Sequence, residues 1–182
     1  MGAYVVAGAL TSALVGAALG LAGQLALPDR MGPGGLAVAL AVAAYAIARE
    51  LRWPSLPLPQ LARQTQELWA KTRSSPVAAA LWGLHVGLTV TTWFTFAGVW
   101  LLVVVAVLFA DPAFGAAVFA AFWAGRTLSV WIAPLLVADV AHTPELLDAV
   151  DDRRRAFQLT HVVGLLAAAA ALTAHVIQSG TV

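Results

Sequence analysis

The chain has 182 residues, of which 61% are hydrophobic and only 10% are charged, and its mean hydropathy is +0.85. Soluble domains are about 45–50% apolar and about 25% charged, so this composition excludes an ordinary soluble globular protein, and it is far too hydrophobic for disorder. A net charge of +1 gives no nucleic-acid-binding surface, and the absence of cysteine excludes disulfides, thiolate metal sites and thiol redox chemistry on this chain. The composition therefore predicts a membrane protein.

Five stretches of the chain are predicted as membrane-spanning helices, because a span needs about 20 mostly apolar residues. They cover residues 3–27, 36–50, 77–109, 113–138 and 157–177. The N-terminus lacks the positive region of a secretory signal, so the first stretch is expected to be retained as a span. The sequence predicts an all-α, polytopic membrane bundle that forms one membrane domain.

The third apolar stretch is too long for one straight span. The 34 residues from Val77 to Ala110 would form a helix of about 51 Å, whereas the hydrocarbon core is about 30 Å thick. Residues 89–98 contain four threonines and end in a glycine, which favours a kink or a break there. The number of spans is then five, or six if this stretch divides into two crossings.

Two polar segments separate the predicted spans. Residues 51–75 begin with three prolines and continue as an amphipathic segment, which is predicted to lie as a loop on the bilayer surface. Residues 144–156 are predicted as a polar helix that continues into the fifth span. Asp111-Pro112 and Thr143-Pro144 are typical helix starts, with a capping residue followed by proline at the first helical position.

The basic residues predict the orientation of the chain. With five spans, residues 49–75 and 139–156 lie on the same side of the membrane and hold eight of the ten Lys and Arg residues. Because basic loops stay on the cytoplasmic side, the N-terminus is predicted in the cytoplasm and the C-terminus outside the plasma (inner) membrane. Six spans would place the two basic segments on opposite sides, so the charge pattern favours five.

One basic residue, Arg126, falls about 13 residues from each end of the fourth predicted span. A guanidinium at that depth costs about 2.5 kcal/mol or more, so it normally faces protein, water or a ligand. No Asp or Glu is expected at mid-span to pair with it. It could therefore hold an anionic substrate, a lipid headgroup, a cofactor carboxylate or an acidic residue of another subunit. The structural alternative is that it binds carbonyls of the helix break and the hydroxyls of Thr91, Thr92 and Thr95.

Other polar side chains within the spans leave several interpretations open. Gln24 and Ser12 in the first span could join a pocket, whereas Gly8, Gly16 and Gly20 are expected to allow close helix packing.

The histidines give a further hypothesis. A b-type haem between His85 and His161, with Arg126 at a propionate, is one alternative; interface positions and helix–helix hydrogen bonds are the ordinary one. The sequence contains no metal-binding cluster and no nucleophile–base pair, so it predicts neither a metal site nor an enzyme.

Two motifs carry a family resemblance. The segment Trp93-Phe94-Thr95-Phe96-Ala97-Gly98, followed by Ala121-Phe122-Trp123-Ala124-Gly125-Arg126-Thr127-Leu128, resembles the second half of the CcdA and DsbD (LysE-like) transmembrane family of cytochrome c biogenesis. Residues 8–50 resemble the second and third spans of that family, and the resemblance implies that the family's first span has no counterpart in this sequence. The resemblance covers about 130 residues and depends on glycine placement and hydropathy.

The resemblance implies an architecture without its chemistry. That family transfers electrons through a cysteine pair, but Phe96 stands near the position of the second cysteine and the chain has no thiol. The first hypothesis is thus a non-catalytic membrane subunit that supports a maturation or electron-transfer partner. The second hypothesis is a small-solute or anion transporter that uses the broken third span and Arg126. The third is a b-type haem protein. The sequence leaves open whether the protein forms a homo-oligomer.

Overall fold

The structure is a computed structural model that describes residues 1–27, 31–52, 68–89, 96–136 and 143–179. These residues form eight α-helices and contain no strand, so the predicted all-α class is confirmed for the described part of the chain. The helices are α1 (Gly2–Ala26), α2 (Pro33–Glu50), α3 (Leu68–Thr72), α4 (Ser75–Gly87), α5 (Val99–Phe109), α6 (Pro112–Leu136), α7 (Thr143–Asp152) and α8 (Arg154–Gln178).

The helix boundaries follow the sequence signals closely, with one correction. Asp111 caps α6 as predicted, since its Oδ1 accepts the backbone N–H groups of Ala113 at 2.8 Å and Phe114 at 3.1 Å. The polar helix predicted at 144–156 instead ends at Asp152, and Arg153 makes a turn before α8 begins. Most of the predicted surface loop, residues 53–67, lies outside the described residues.

Helix α1 is the centre of one half of the bundle and packs through its small residues. Its buried residues are Gly8, Thr11, Ser12, Gly16, Gly20 and Gly23. A Cβ added to Gly16 would collide with the backbone carbonyl of Gly115 on α6, and the reverse is also true. The Ser12 hydroxyl donates a hydrogen bond of 3.0 Å to the carbonyl oxygen of Phe119 on α6. The expected role of these glycines in close helix packing is confirmed.

Trp123 anchors α6 against the beginning of α1. Its side chain is 1% exposed, its Nε1–H donates to the carbonyl oxygen of Val5 at 2.8 Å, and its ring occupies the space over Gly8. The Tyr4 ring packs against it at a centroid distance of 5.4 Å. Burial of the indole with its N–H satisfied makes this tryptophan a packing anchor.

Contacts along α1 fix the direction of its neighbours. Asp111 and Trp123 of α6 lie beside Gly20 and Gly8, so α6 runs antiparallel to α1. Helix α4 runs parallel to α1, because its Gly83 lies beside Tyr4 and its Gly87 lies beside Gly8. Helix α5 contacts Gly23 through Val107 and is joined to α6 by a short turn, and the two pack together, so α5 runs opposite to α6 and parallel to α1. The two short helices therefore follow one another along α1 in one direction.

The other half of the bundle consists of α2, α5 and α8. Helix α2 runs antiparallel to α5, because Glu50 contacts Ala97 and Gly35 contacts Leu108. Helix α8 runs parallel to α5, because His161 stacks on Phe96 and His175 on Phe109. The main core cluster lies among these helices and includes Ala39, Ala43, Ala46, Leu101, Val105, Leu165, Leu172 and Val176. Helices α1, α4, α5 and α8 thus point one way, and α2 and α6 the other.

The outward faces of the bundle are strongly apolar. On α1, Leu10, Leu14 and Leu25 are 62%, 70% and 80% exposed, while the buried face carries glycine, serine and threonine. By length and composition two described helices, α1 and α8, could cross a membrane, and α5 is a shorter apolar helix. Only 28% of the apolar window of α1 and 17% of that of α8 are buried, unlike the core helix of a soluble protein.

Candidate functional site

The interruption predicted in the third apolar stretch is present. Helix α4 ends at Gly87, and Thr89 follows with a left-handed backbone (φ 56°), which ends the helix. The Thr89 hydroxyl donates to the Gly87 carbonyl oxygen at 2.9 Å. The chain becomes helical again at Val99. Thr91, Thr92 and Thr95, predicted to line a site here, lie outside the described residues.

The break lies level with the middle of α1. Val107 of α5 contacts Gly23, and the two helices are parallel. Counting back eight residues along both helices places Val99, the first residue of α5, beside Val15 in the 25-residue helix α1. An interruption at this depth leaves backbone groups without helical partners in the interior of the bundle, and other groups must satisfy them.

Glu50 satisfies one of these groups. It is the last residue of α2 and is only 7% exposed, and its Oε1 accepts the buried backbone N–H of Ala97 at 2.8 Å. Glu50 is also the last residue of the second predicted span, 36–50, where the sequence indicates a polar edge, and the structure buries its side chain instead. A sequence signal did exist, because Ala39, Ala43, Ala46 and Glu50 recur at helical spacing on the buried face of α2.

A cavity of about 690 Å³ opens beside the break. Its polar wall consists of Glu50 from α2, Arg126 from α6, and Thr160 and His161 from α8. The remaining walls are aliphatic, aromatic and glycine residues from α5, α6 and α8. A largely apolar cavity with a few convergent polar groups is typical of a small-molecule site.

Arg126 lies between the break and the N-terminal end of α1. It follows Trp123 by one helical turn, and Trp123 packs over Gly8. The cavity therefore extends from the depth of Glu50 towards that end of the bundle. Since Arg126 and Glu50 come from two different helices, opposite charges approach the same cavity from separate walls.

His161 is held in a fixed orientation at the cavity. Its Nδ1 lies 2.7 Å from the carbonyl oxygen of Phe157 and so donates a hydrogen bond there, and its ring stacks on Phe96 at 3.7 Å between centroids. In the neutral ring, protonation of Nδ1 makes Nε2 a hydrogen-bond acceptor. The histidine therefore presents one defined acceptor to this part of the bundle.

Two of the predicted site residues meet at the cavity and two do not. Arg126 and His161 both line the cavity. From the sequence, these two residues were placed together only in the haem hypothesis. His85 is not among the lining residues and instead lies edge-on against Trp69, at 5.9 Å between ring centroids. Gln24 is exposed near the far end of α1. The two histidines suggested as haem ligands thus lie in different parts of the bundle.

The described residues contain no group of three or more His, Cys, Asp or Glu side chains that could hold a metal ion. What the cavity offers is one guanidinium, one buried carboxylate and an oriented imidazole in an apolar surrounding. In such a medium charge–charge interactions are stronger than in water, so a charged group of a ligand would be held firmly. The arrangement is suited to binding a small charged solute.

Comparisons with protein-family models, with curated proteins and with solved structures found no match. The resemblance to the CcdA and DsbD membrane family stays a prediction, as do the non-catalytic subunit and the maturation partner that it implies.

Proposed function

We propose that the protein crosses the inner membrane five times and transports a small solute through the cavity beside the helix break. The observation that carries this proposal is the meeting of Glu50 and Arg126 in one cavity, where a helix is interrupted. Many transporters bind their substrates near the bilayer midplane, at discontinuous helices. Ionisable residues at such a depth typically belong to substrate or ion pathways.

The outward faces support a membrane location. Leu10, Leu14, Leu21 and Leu25 of α1 face away from the bundle and its smallest residues face into it, which is the reverse of the soluble pattern. Lipid tails are as apolar as leucine, so helices in a bilayer associate through small residues and interhelical hydrogen bonds. The contact of Gly16 with Gly115 and the hydrogen bond from Ser12 fit this mode of packing.

The helix directions support five crossings over six. Helices α4 and α5 run the same way along α1, as the two parts of one interrupted crossing would. With α2 and α6 running the opposite way, the chain leaves α2 in the direction of the end of the bundle where α4 begins, and it enters α8 from that same end. The basic residues that follow α2 and precede α8 therefore share one side, which the positive-inside rule assigns to the cytoplasm.

The break also supplies a way for the cavity to open and close. Helix α5 is not continuous with α4, and the turn that leads into it is attached to α2 by the Glu50–Ala97 hydrogen bond. A solute that binds beside this bond can shift α5 against α4 without breaking a continuous helix. In proteins that use alternating access, one part of the bundle moves against the other around a site formed at discontinuous helices.

The proposal predicts that Arg126→Met lowers uptake of a monoanion about tenfold or more, because a hydrogen bond to a charged group contributes about 1.5–3 kcal/mol. Uptake is measured in proteoliposomes with labelled methanesulfonate, butanesulfonate and octanesulfonate, which stay charged at any working pH. Arg126→Lys keeps the charge and should retain part of the activity.

Arg154→Met is the matched control, because Arg154 is exposed and lies at the beginning of α8, outside the cavity. It should leave uptake unchanged. If none of the three alkanesulfonates is taken up above the rate of empty liposomes, or if Arg126→Met and Arg154→Met behave alike, the proposed function is wrong.

A further inference from the structure

The cavity lies between two helices that do not pack together. Among the described residues α6 packs against α1 and α5, and α8 packs against α2 and α7, but α6 and α8 do not pack closely against each other. Both helices contribute to the cavity wall. The space between them is therefore a lateral crevice, which we call the α6/α8 crevice.

Two glycines keep this crevice open. Gly125 on α6 and Gly164 on α8 both line the cavity and are exposed, and a Cβ added to either would meet no atom within 4 Å. They differ from Gly16 and Gly115, whose missing side chains allow two backbones to touch. At Gly125 and Gly164 the missing side chains leave unfilled space.

The helices on both sides of the crevice expose apolar side chains to their surroundings. Leu128 on α6 is 55% exposed, and Val163 and Leu166 on α8 are 64% and 55% exposed. If the chain spans a bilayer as proposed, these faces contact lipid tails. An opening between them connects the cavity with the hydrocarbon region rather than with water.

Resting on the proposed function, we infer that the solute is an amphiphilic monoanion, which enters the cavity sideways from the bilayer through the α6/α8 crevice. Arg126 binds its anionic group. The apolar wall, which includes Leu102, Phe122 and Leu165, receives its hydrocarbon chain. The volume of about 690 Å³ is typical of sites for drug-sized molecules rather than for a small inorganic ion.

Glu50 restricts the charge of the solute. Its carboxylate lines the same cavity from another helix and is held there by the Ala97 N–H. Like charges repel strongly in an apolar surrounding, so a solute with a second negative group is disfavoured. A single anionic group at the Arg126 wall, with an uncharged chain, fits both walls.

The first test is the chain-length dependence of uptake in the proteoliposome assay. The three alkanesulfonates carry the same headgroup, so any difference among their uptake rates is due to the length of the hydrocarbon chain. Octanesulfonate should be taken up at least about tenfold faster than methanesulfonate at equal concentration, since each buried methylene contributes about 0.8 kcal/mol. Arg126-dependent uptake that is equal for all three overturns the amphiphile inference and leaves the proposed function standing.

The second test fills the crevice. Gly125→Leu places a side chain in open space on α6 and replaces a poor helix former by a good one, so the protein should fold as well as the parent. It should lower octanesulfonate uptake about tenfold or more. Gly34→Leu is the matched control, because Gly34 is also exposed in a helix and in open space but does not line the cavity.

A folded Gly125→Leu protein that takes up octanesulfonate like Gly34→Leu overturns entry through the crevice. Thermal unfolding and the elution volume of each variant in mild detergent establish that it is folded. Unlabelled octyl alcohol, which has the chain without the charge, should inhibit uptake at least about tenfold less strongly than unlabelled octanesulfonate, because it lacks the charged hydrogen bond to Arg126. Equal inhibition by the alcohol and the sulfonate would show that the chain alone is recognised and would contradict the role given to Arg126.

Discussion

Replacement of Gly115 by leucine is expected to prevent assembly of the bundle. A Cβ at this position would meet the carbonyl oxygen of Gly16, which belongs to the α1 backbone and has no rotamer that could move it away. Helices α1 and α6 would have to move apart. This separation would break the Ser12–Phe119 hydrogen bond and the packing of the Trp123 ring over Gly8. Overpacking in a core costs about 1–3 kcal/mol, and a rigid backbone obstacle raises that cost.

The measurement is the yield of monodisperse protein in mild detergent, together with its thermal unfolding. Gly125→Leu is the matched control, because it makes the same chemical change on the same helix where the structure has open space. We expect Gly115→Leu to aggregate or to unfold at a much lower temperature, and Gly125→Leu to resemble the parent. Equal stability of the two variants would mean that α1 and α6 do not pack through these glycines.

The second large effect is expected at Glu50. Glu50→Leu removes the acceptor of the buried Ala97 N–H, and an unsatisfied buried donor costs about 1–3 kcal/mol. For a chain of this size that corresponds to a decrease of about 2–12 °C in the unfolding temperature. Uptake should fall as well, because the first turn of α5, which forms the cavity wall, loses its attachment to α2.

Glu50→Gln separates the hydrogen bond from the charge. Its amide oxygen can still accept the Ala97 N–H, so the unfolding temperature should stay near that of the parent. If Glu50→Gln and Glu50→Leu are destabilised to the same extent, the hydrogen bond to the beginning of α5 does not hold the broken helix in place.

Local sequence signals were sufficient for the helices themselves. Hydropathy and the Asp111-Pro112 start predicted the limits of α1, α6 and α8 to within a few residues, because chain-local chemistry determines these limits. The interruption between α4 and α5 was predicted from the length of the apolar stretch, which exceeds the thickness of a bilayer, and was located by the threonines and glycine of residues 89–98. The glycine face of α1 was predicted from its spacing.

The composition of the cavity was harder to predict, because it depends on how the helices are placed against each other. Arg126 was recognised by its charge within an apolar segment. Glu50 was misread, because its depth is set by the contact of the end of α2 with Ala97, 47 residues away in the chain. The location of His161 beside Arg126, with His85 elsewhere, likewise follows from which helices surround α5.

All that is proposed for the cavity requires five apolar segments to cross a bilayer in alternating directions. The chain has no cysteine, so single cysteines can be introduced without first removing others. A cysteine is introduced singly at four exposed positions, Gly34, Lys71, Asp152 and Ser179. Each variant is treated in intact cells with a membrane-impermeant thiol reagent. Gly34→Cys and Ser179→Cys should react directly, and Lys71→Cys and Asp152→Cys only after permeabilisation. Labelling of Lys71→Cys and Asp152→Cys from opposite sides, or of all four from one side, would contradict the arrangement.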